Sequence, residues 1–428
     1  MTTAADDREL AKPAGEATAG TERTGFGWVA AVKRSLDRPL ASYHLVLGAS
    51  GMLLALGLAM VLSASSVEAL RHYGSSYAIF ERQIIWVVAG LPIAWLASRL
   101  PNKVLRAFVY PALALSVILL LLTYVPGLGH EVNGNRNWLD FGGPFKLQPS
   151  EMAKLALVLW GADLLARKEK LLSQWKHLFV PFLPVTGLVL ALVLGQGDLG
   201  TSLVLFSVVL VLLFVVGMPM RFFGFLVIVV GGLVGYLATT RDYRLERLTS
   251  FLNPFEDYAN TGWQAAHGLF ALGTGSWFGV GIGNSREKWG QLPESHTDFI
   301  FAVIGEEMGL AGTLVVLGLF LLLAFAGVRI ALRATDTFTK LAAAGIVGWI
   351  ISQALVNMGA VVNLLPITGI PLPLVSYGGS AMLPTLFALG LLVAFARNEP
   401  EARAALAAKR QARREAKQSK QSNDDSDE

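Results

Sequence analysis

Long apolar runs recur along this chain and constrain its fold more than any other feature. A helix needs about 20 apolar residues to cross roughly 30 Å of hydrocarbon. Runs near that length are 43–63, 79–98, 104–126, 149–166, 178–195, 199–217, 222–239, 299–328, 341–362 and 376–396. Charged residues make up only 15% of the chain, against about 25% in a soluble domain. The sequence therefore predicts an all-α polytopic integral membrane protein with about ten transmembrane helices.

The Lys and Arg residues of the short connecting loops predict the orientation of these helices. They collect before the first run and after the second, fourth, sixth, eighth and tenth runs. Because short cytoplasmic loops are enriched in Lys and Arg, we expect both termini in the cytoplasm. Three longer segments then lie outside the cell: 127–148, 240–298 and 363–375. The largest of them precedes the eighth span.

The two ends of the chain differ in composition from its middle. Residues 1–41 are polar and lack the apolar density needed to fold alone, which predicts a disordered cytoplasmic arm. Residues 42–397 form the transmembrane domain. Residues 398–428 carry many charges without interleaved aromatic residues, which favours a cytoplasmic tail facing the membrane or a partner over a nucleic-acid groove. Cysteine is absent, which excludes disulfides and thiolate metal sites.

Carboxylates in and beside the eighth run are the first sign of function. Asp298 lies at its outer end, and Glu306 and Glu307 lie within it, although a charge in hydrocarbon costs at least about 2.5 kcal/mol. Asp298 has two interpretations, since it either caps a helix that begins near 295–298 or lines a water-accessible cavity. For Glu306 and Glu307 we expect pairing with Arg or backbone groups. The run itself predicts one straight helix of about 45 Å.

Two external segments have unusual compositions. Segment 240–298 carries several basic residues, and external cations suit a ligand with anionic phosphates. The run 363–381 concentrates proline and glycine beside a span. Irregular backbone at membrane depth is tolerated only where protein or a cavity shelters it, so this run predicts the wall of a site.

Polar motifs also occur at two other predicted helix starts. Glu151 and Lys154 follow Pro149 at i,i+3 spacing, so they can neutralise one another at a well-capped helix start. Asp198 lies between two apolar runs with hardly a loop. It is a cap, a cation ligand or a catalytic auxiliary, and all three interpretations stay open.

Several motifs together resemble the SEDS family (shape, elongation, division and sporulation), the polytopic polymerases of bacterial peptidoglycan. They are NRNWLDFG, QPSEMAK, GDLGTS, YRLERLTSFLNPFED, WFGVGIGNSREKWGQLPESHTDFIFAVIGEEMG and LLPITGIPLPLVSYGGS, within about 43–397. The resemblance implies glycosyl transfer from lipid II at the outer face of the plasma membrane. The terminal arms and the motif YRLERLTSFLNP look more like the division branch, which acts at the septum, than the elongation branch.

The resemblance also implies roles for individual residues. It carries the family's essential aspartate onto Asp298, as the base that takes a proton from the acceptor hydroxyl. The substrate-binding candidates are Lys288, Arg244, Arg247, Arg286, Trp138, Lys154, Glu151, Ser376 and Gly378. This chain departs from the family at Gly197, where Pro is usual, and at Ala381, where Ser is usual.

The implied cofactors and partners follow from the same resemblance. A divalent cation, Mg²⁺ or Mn²⁺, is expected beside the pyrophosphate, with Asp198 as the candidate protein ligand and no organic cofactor. The expected partners are lipid II, a class B penicillin-binding protein, other division proteins and the membrane, without nucleic acid.

Two functions of other classes are also compatible with the sequence. A lipid II flippase would use intramembrane charges as gates, but the motif residues cluster on the outer side and no inverted repeat is evident. A non-catalytic division scaffold would explain the charged tail but not the external segments. The sequence therefore favours the enzyme.

The predicted orientation can be checked by labelling single cysteines, because the native chain has none. A cysteine at position 270 should react with a membrane-impermeant reagent in intact cells, since segment 240–298 is external. A cysteine at position 411 should react only after the cells are opened. Reaction at 411 and not at 270 in intact cells would overturn the orientation.

Overall fold

The structure is a computed structural model that describes residues 36–132, 134–140, 142, 146–171, 180–239, 253–260 and 262–424. Most of the predicted arm 1–41 lies outside these ranges. The candidate residues Arg244 and Arg247 lie outside them as well.

Helices dominate the described residues. They are α1 (Ala41–Tyr73), α2 (Ala78–Ala97), α3 (Asn102–Leu122), α4 (Pro149–Arg167), α5 (Phe182–Gly195), α6 (Leu199–Val216), α7 (Met220–Thr239), α8 (Trp263–Gly275), α9 (Ile300–Arg333), α10 (Thr337–Val361), α11 (Met382–Arg397) and α12 (Pro400–Asp424). Each predicted apolar run coincides with one of α1–α7 or α9–α11. Within the described ranges, seven helices are long and apolar enough to cross a membrane. The all-α multi-pass architecture is confirmed.

A small antiparallel sheet lies in segment 127–148, which the sequence predicts to be an external loop. It consists of β1 (Gly129–Val132), β2 (Asn135–Asp140) and β3 (Lys146–Leu147) in that spatial order. Asn137 and Leu139 are buried whereas Arg136 is exposed, which is the two-residue alternation of a half-buried strand. β2 packs beside α4, so the sheet covers the outer start of that helix.

The centre of the bundle is built around α4. Almost every residue of this helix from Pro149 to Leu165 is buried, and α3, α6 and α10 pack against it. The approach of α10 is close, since a Cβ on Gly345 would lie 2.8 Å from Val158 Cγ1. Polar side chains on α4 therefore lie inside the protein.

The first helix is longer than predicted. The apolar run ends at residue 63, but α1 continues to Tyr73, which extends it by about 15 Å. Ala64 and Ala69 in these added turns are fully buried, and α1 packs along α9 and beside a 3₁₀ turn at Glu287–Trp289. The C-terminal turns of α1 therefore pack with the segment 240–298, which is predicted to be external.

The eighth run forms two helical halves, so the prediction of a straight helix was wrong. α9 is interrupted at Gly309, whose φ of 70° and ψ of −165° are not helical. Only glycine adopts such a conformation without strain. A Cβ there would also lie 2.4 Å from the backbone N of Gly279. The backbone at Gly279 therefore packs directly against the interruption.

Four backbone hydrogen bonds join the two halves of α9 to residues 276–281. They run from Leu310 N–H to Ser276 O (2.8 Å), from Ala311 N–H to Trp277 O (3.1 Å), from Val280 N–H to Glu306 O (2.9 Å) and from Gly281 N–H to Glu307 O (3.0 Å). A helix end leaves such groups unpaired, and non-helical backbone at membrane depth needs shelter by protein. One short loop supplies both partners and shelter.

The interruption should depend on the glycine at its centre. Gly309→Ala should destabilise the protein by about 2–5 kcal/mol, because backbone strain and steric overlap add. Gly318→Ala is the matched control in the second half of α9, where an added Cβ meets nothing within 4 Å. It should be neutral or stabilise by up to about 1 kcal/mol. Thermal melting of the purified proteins measures both, and equal melting temperatures would refute the strained break.

Candidate active site

Asp298 lies directly before α9 at its outer end and is half-buried. The helix begins at Ile300 with Phe299 as the N-cap residue, two residues later than the sequence predicts. Asp298 is therefore not the N-cap residue. It belongs to the turn that leads into the helix, so the capping interpretation of Asp298 does not hold for this helix start.

Asn357 of α10 fixes the backbone around Asp298. Its side-chain amide donates to the carbonyl of Asp298 at 2.7 Å and to the carbonyl of Ile370 at 2.8 Å. A Cβ on Gly369 would lie 3.6 Å from Asp298 Oδ2. The proline- and glycine-rich segment therefore lies against the carboxylate, as expected for the wall of a site.

Ser376 joins the same segment to the turn before Asp298. Its hydroxyl donates to the carbonyl of Thr297 at 2.6 Å and accepts from the Leu372 N–H at 2.8 Å. Tyr377 adds a bond from its N–H to the carbonyl of His296 at 3.0 Å. Ser376 is buried, so it holds the wall of the site together. A substrate contact through its hydroxyl stays a prediction.

The predicted irregular backbone is confirmed between α10 and α11. Residues 362–378 form no helix, and α11 begins at Met382, six residues after the predicted start of the tenth span. Gly369 and Leu374 have φ values of 71° and 66°. Gly378 is half-buried and its carbonyl accepts from the Ala381 N–H at 2.9 Å, which leads into the 3₁₀ turn Gly379–Ala381.

Glu306 and Glu307 anchor the external segment to the first half of α9. Glu306 accepts from the Ser285 hydroxyl at 2.5 Å and from the Arg286 N–H at 2.8 Å. Glu307 accepts from the Ser63 hydroxyl at 2.7 Å and forms an ion pair with Lys288 at 3.0 Å. The expected structural pairing is found, with backbone, hydroxyl and Lys partners in place of Arg.

Lys288 occupies a different position from the one expected of a substrate-binding cation. Its ammonium is buried and donates to Ser63 Oγ at 3.1 Å, to the Gly283 carbonyl at 2.6 Å and to Glu307. A lysine has three N–H donors, and all three are used by the protein. This geometry argues against the predicted contact between Lys288 and a pyrophosphate.

The other external candidates are arranged around this network. The Arg286 side chain is exposed and has no ion-pair partner within the described ranges, so it stays a candidate phosphate contact. Trp138 is half-buried in β2 and pairs with His130 of β1. No contact in the described structure assigns Trp138 to the site of Asp298.

Glu151 and Lys154 form the expected ion pair, but deep inside the bundle. Lys154 Nζ lies 2.8 Å from Glu151 Oε1 and 2.7 Å from Gln353 Oε1, and both charged side chains are at most 1% exposed. Lys154 also lies over the ring of Trp349. The pair therefore joins α4 to α10, and direct substrate contact by either residue stays a prediction.

Asp198 is the N-cap residue of α6, which confirms one of its three interpretations. Its Oδ1 accepts from the Thr201 N–H at 2.9 Å, and its Oδ2 accepts from Thr201 Oγ1, Asn137 Nδ2 and Gln148 Nε2. Because donors surround both oxygens, Asp198 does not fit a metal ligand here. In the described ranges, no group of three or more His, Cys, Asp or Glu could hold a metal ion.

The departure at Gly197 has a conformational reason. Gly197 has a φ of 87°, whereas proline is fixed near −65°. The family's usual proline could not adopt this backbone. The turn before Asp198 therefore requires a residue that tolerates positive φ, as glycine does.

Sequence reasoning missed Arg82, a half-buried residue of α2. Its charge acts on Tyr377 beside the site. Burial raises the pKa of Tyr377, and the positive charge of Arg82 opposes part of that rise. Its position could have identified it, because Arg82 lies at the predicted external end of its span, whereas Lys and Arg are usually enriched at the cytoplasmic end.

The buried pair of Lys288 and Glu307 generates a stability prediction. Lys288→Met should destabilise the protein by about 3–5 kcal/mol, because it leaves the Glu307 charge buried and unpaired. Adding Glu307→Gln removes that charge, so the double variant should be less destabilised than the sum of the two single variants. Melting temperatures of the four proteins give the coupling. Additive effects, or no effect of Lys288→Met, would show that the ion pair does not hold the segment.

Comparisons with known proteins place the chain in a family. The family model described as "Cell cycle protein", which covers FtsW, RodA and SpoVE, matches residues 43–401. The probable peptidoglycan glycosyltransferase FtsW of Mycobacterium tuberculosis is 41% identical over 389 residues, which are 91% of this chain and 73% of that protein. The stage V sporulation protein E of Bacillus subtilis is 38% identical over 343 residues, or 82% and 93% of the two chains.

Solved structures agree with this assignment. A chain from a peptidoglycan synthase complex aligns with a TM-score of 0.68 and 30% identity, covering 83% of this chain and 97% of the other. The rod shape determining protein RodA of Thermus thermophilus aligns with a TM-score of 0.61 and 31% identity, covering 83% and 96%. This chain therefore belongs to the SEDS family of FtsW, RodA and SpoVE proteins.

Proposed function

We propose that this protein is a peptidoglycan glycosyltransferase that polymerises lipid II into glycan strands at the outer face of the bacterial plasma membrane. The position of Asp298 carries the proposal. It is a half-buried carboxylate at the outer end of a broken helix, and the 363–378 segment lies against it. Relatives that are about 40% identical are named peptidoglycan glycosyltransferases, which supports the same chemistry here.

The reaction explains why one carboxylate is sufficient. An acceptor sugar hydroxyl attacks the anomeric carbon of the donor, forming the glycosidic bond as the bond to the lipid pyrophosphate breaks. The pyrophosphate leaves as an anion and needs no proton, whereas a glycosidase must protonate its leaving group with a second carboxyl group. Asp298 takes the proton of the attacking hydroxyl.

Positive charge near the leaving group stabilises it in the transition state. Arg286 is available for this role in the described structure, while Arg244 and Arg247 stay predicted contacts. A divalent cation, Mg²⁺ or Mn²⁺, would enter with the pyrophosphate, since Mg²⁺ commonly binds through substrate phosphates and few protein carboxylates. We do not assign Asp198 as a ligand of this cation, because hydrogen-bond donors already surround both of its carboxylate oxygens.

The cellular role follows the division branch. The relatives named FtsW and the stage V sporulation protein support action in septal wall synthesis. One structural neighbour belongs to a complex that coordinates polymerisation with crosslinking. That neighbour supports a class B penicillin-binding protein as partner, together with other division proteins at the septum.

The assigned base predicts a clean loss of activity. Asp298→Asn keeps the size and hydrogen-bonding ability of the side chain but cannot accept the proton, so polymerisation should fall by a factor of about 10²–10⁴. Gel analysis of glycan chains made from lipid II by the purified protein, with its transpeptidase partner, measures the effect. A melting curve checks folding.

Asp336→Asn is the matched control, because Asp336 caps α10 on the predicted cytoplasmic side and should tolerate the change. A flippase would lose lipid II transport and not chain formation, and a scaffold would lose neither. Near-normal chain production by Asp298→Asn would end the catalytic assignment.

A further inference from the structure

The last helix, α12, carries its positive charge on one side. An α-helix turns by about 100° per residue, so all seven Lys and Arg residues of α12 fall within an arc of about 140°. They occupy positions 403, 409, 410, 413, 414, 417 and 420. Over positions 400–420 the only acidic residues are Glu401 and Glu415, and both fall on the opposite side. We call the arc of Lys and Arg positions the basic side of α12.

The protein does not neutralise the basic side. Its described side chains are exposed and have no ion-pair partner within the described ranges; they are those of Arg403, Lys409, Arg410 and Arg414. The two acidic residues are engaged elsewhere. Glu401 pairs with Arg333 of α9 at 2.9 Å, and Glu415 accepts from the Gln411 side-chain amide at 2.9 Å. The positive charge of α12 is therefore available to an external anionic surface.

The first turn of α12 fixes which way the basic side faces. Glu399, which is buried just before the helix, lies 3.6 Å from Arg333, the residue that also holds Glu401. Ala402 is fully buried and Leu406 is half-buried, and both fall within the arc of the basic side. The side of α12 that packs on the protein at its start is therefore the side that carries Lys and Arg further along.

The remainder of α12 lacks the apolar groups that a protein partner would bury. The centre of a stable protein interface is usually apolar and depleted of Lys, but positions 407–424 contain no apolar side chain larger than that of alanine. Anionic lipid headgroups require no such anchor, and the cytoplasmic leaflet of a membrane is negatively charged. Only Asn398 and Glu399 separate α12 from α11, a candidate membrane span. The basic side therefore begins at the predicted cytoplasmic boundary of the membrane.

We propose that α12 lies along the cytoplasmic membrane surface and binds anionic lipid headgroups through its basic side. The sequence left the membrane and a partner open as the target of this tail, and the segregated charge favours the membrane. Each basic residue at such a surface strengthens association about fivefold, and salt weakens it. This surface lies at the other end of the bundle from Asp298 and does not depend on the proposed glycosyl transfer.

The position of α12 can be measured in the full-length protein. The native chain has no cysteine, so Ala412→Cys accepts a single fluorescent label at an exposed position outside the basic side. The protein is placed in nanodiscs of phosphatidylglycerol or phosphatidylcholine, each containing a quencher attached to lipid headgroups. We expect strong quenching in the anionic nanodiscs at low salt, loss of that quenching at high salt, and little quenching in the zwitterionic nanodiscs.

A triple variant tests whether the basic side causes the association. Lys409→Gln, Arg410→Gln and Arg414→Gln together should lower the ratio of membrane-bound to free helix by a factor of about 100. The matched control is Ala404→Gln with Ala408→Gln, since both positions are exposed and lie outside the basic side. It adds glutamine without removing charge and should leave quenching unchanged. Glutamine is a strong helix former, so both variants keep α12 helical.

Three results would overturn the proposal. Equal quenching in anionic and zwitterionic nanodiscs would show that charge does not direct the helix. Quenching that the triple variant leaves unchanged would show that the basic side is not the contact. A label that stays unquenched in anionic nanodiscs at low salt would show that α12 projects away from the membrane, which would leave its basic side to an acidic protein partner.

Discussion

The interruption of α9 at Gly309 is the constraint on which the external half of this protein depends. A continuous helix would leave no gap, and residues 276–281 would lose the four backbone groups that hold them. The same loop leads to Ser285 and Lys288, whose bonds to Glu306 and Glu307 fasten it to the first half of the helix. Asp298 lies in the turn that leads directly into that half-helix, so the geometry of the site follows from the break.

Buried charges in this protein serve two different purposes. The pairs Lys288–Glu307 and Glu151–Lys154 are closed, since each ammonium is hydrogen-bonded within the protein and nearly inaccessible. Removing one partner from such a pair leaves an unpaired buried charge, which makes these pairs structural fasteners. Asp298 is only half-buried, and this difference in access separates candidate chemistry from scaffold more clearly than charge alone.

Apolar run length predicted where the long apolar helices lie and the general class, because hydrocarbon thickness allows few alternatives. The family motifs led to Asp298, and the density of proline and glycine led to the irregular 363–378 wall. The break at Gly309 was not predictable, since a single glycine in an apolar run is ordinary and its φ depends on residues about thirty positions earlier. The buried contacts of Lys288 were not predictable for the same reason, since its partner Ser63 lies on α1, 225 residues away.

The strands of the external sheet show another limit of sequence reading. The alternation in NRNWLD is short, and it becomes informative only when α4 provides a surface for Asn137 and Leu139 to face. Arg82 was overlooked because a lone arginine at the end of a span is commonly an interfacial residue.

The most direct test of the account is an experimental structure of the Asp298→Asn protein with lipid II bound. The account predicts an acceptor hydroxyl about 2.6–3.2 Å from the side chain at position 298, and a donor whose anomeric carbon lies within reach of that hydroxyl. A donor whose anomeric carbon lies outside reach of position 298, with the break in α9 intact, would contradict it.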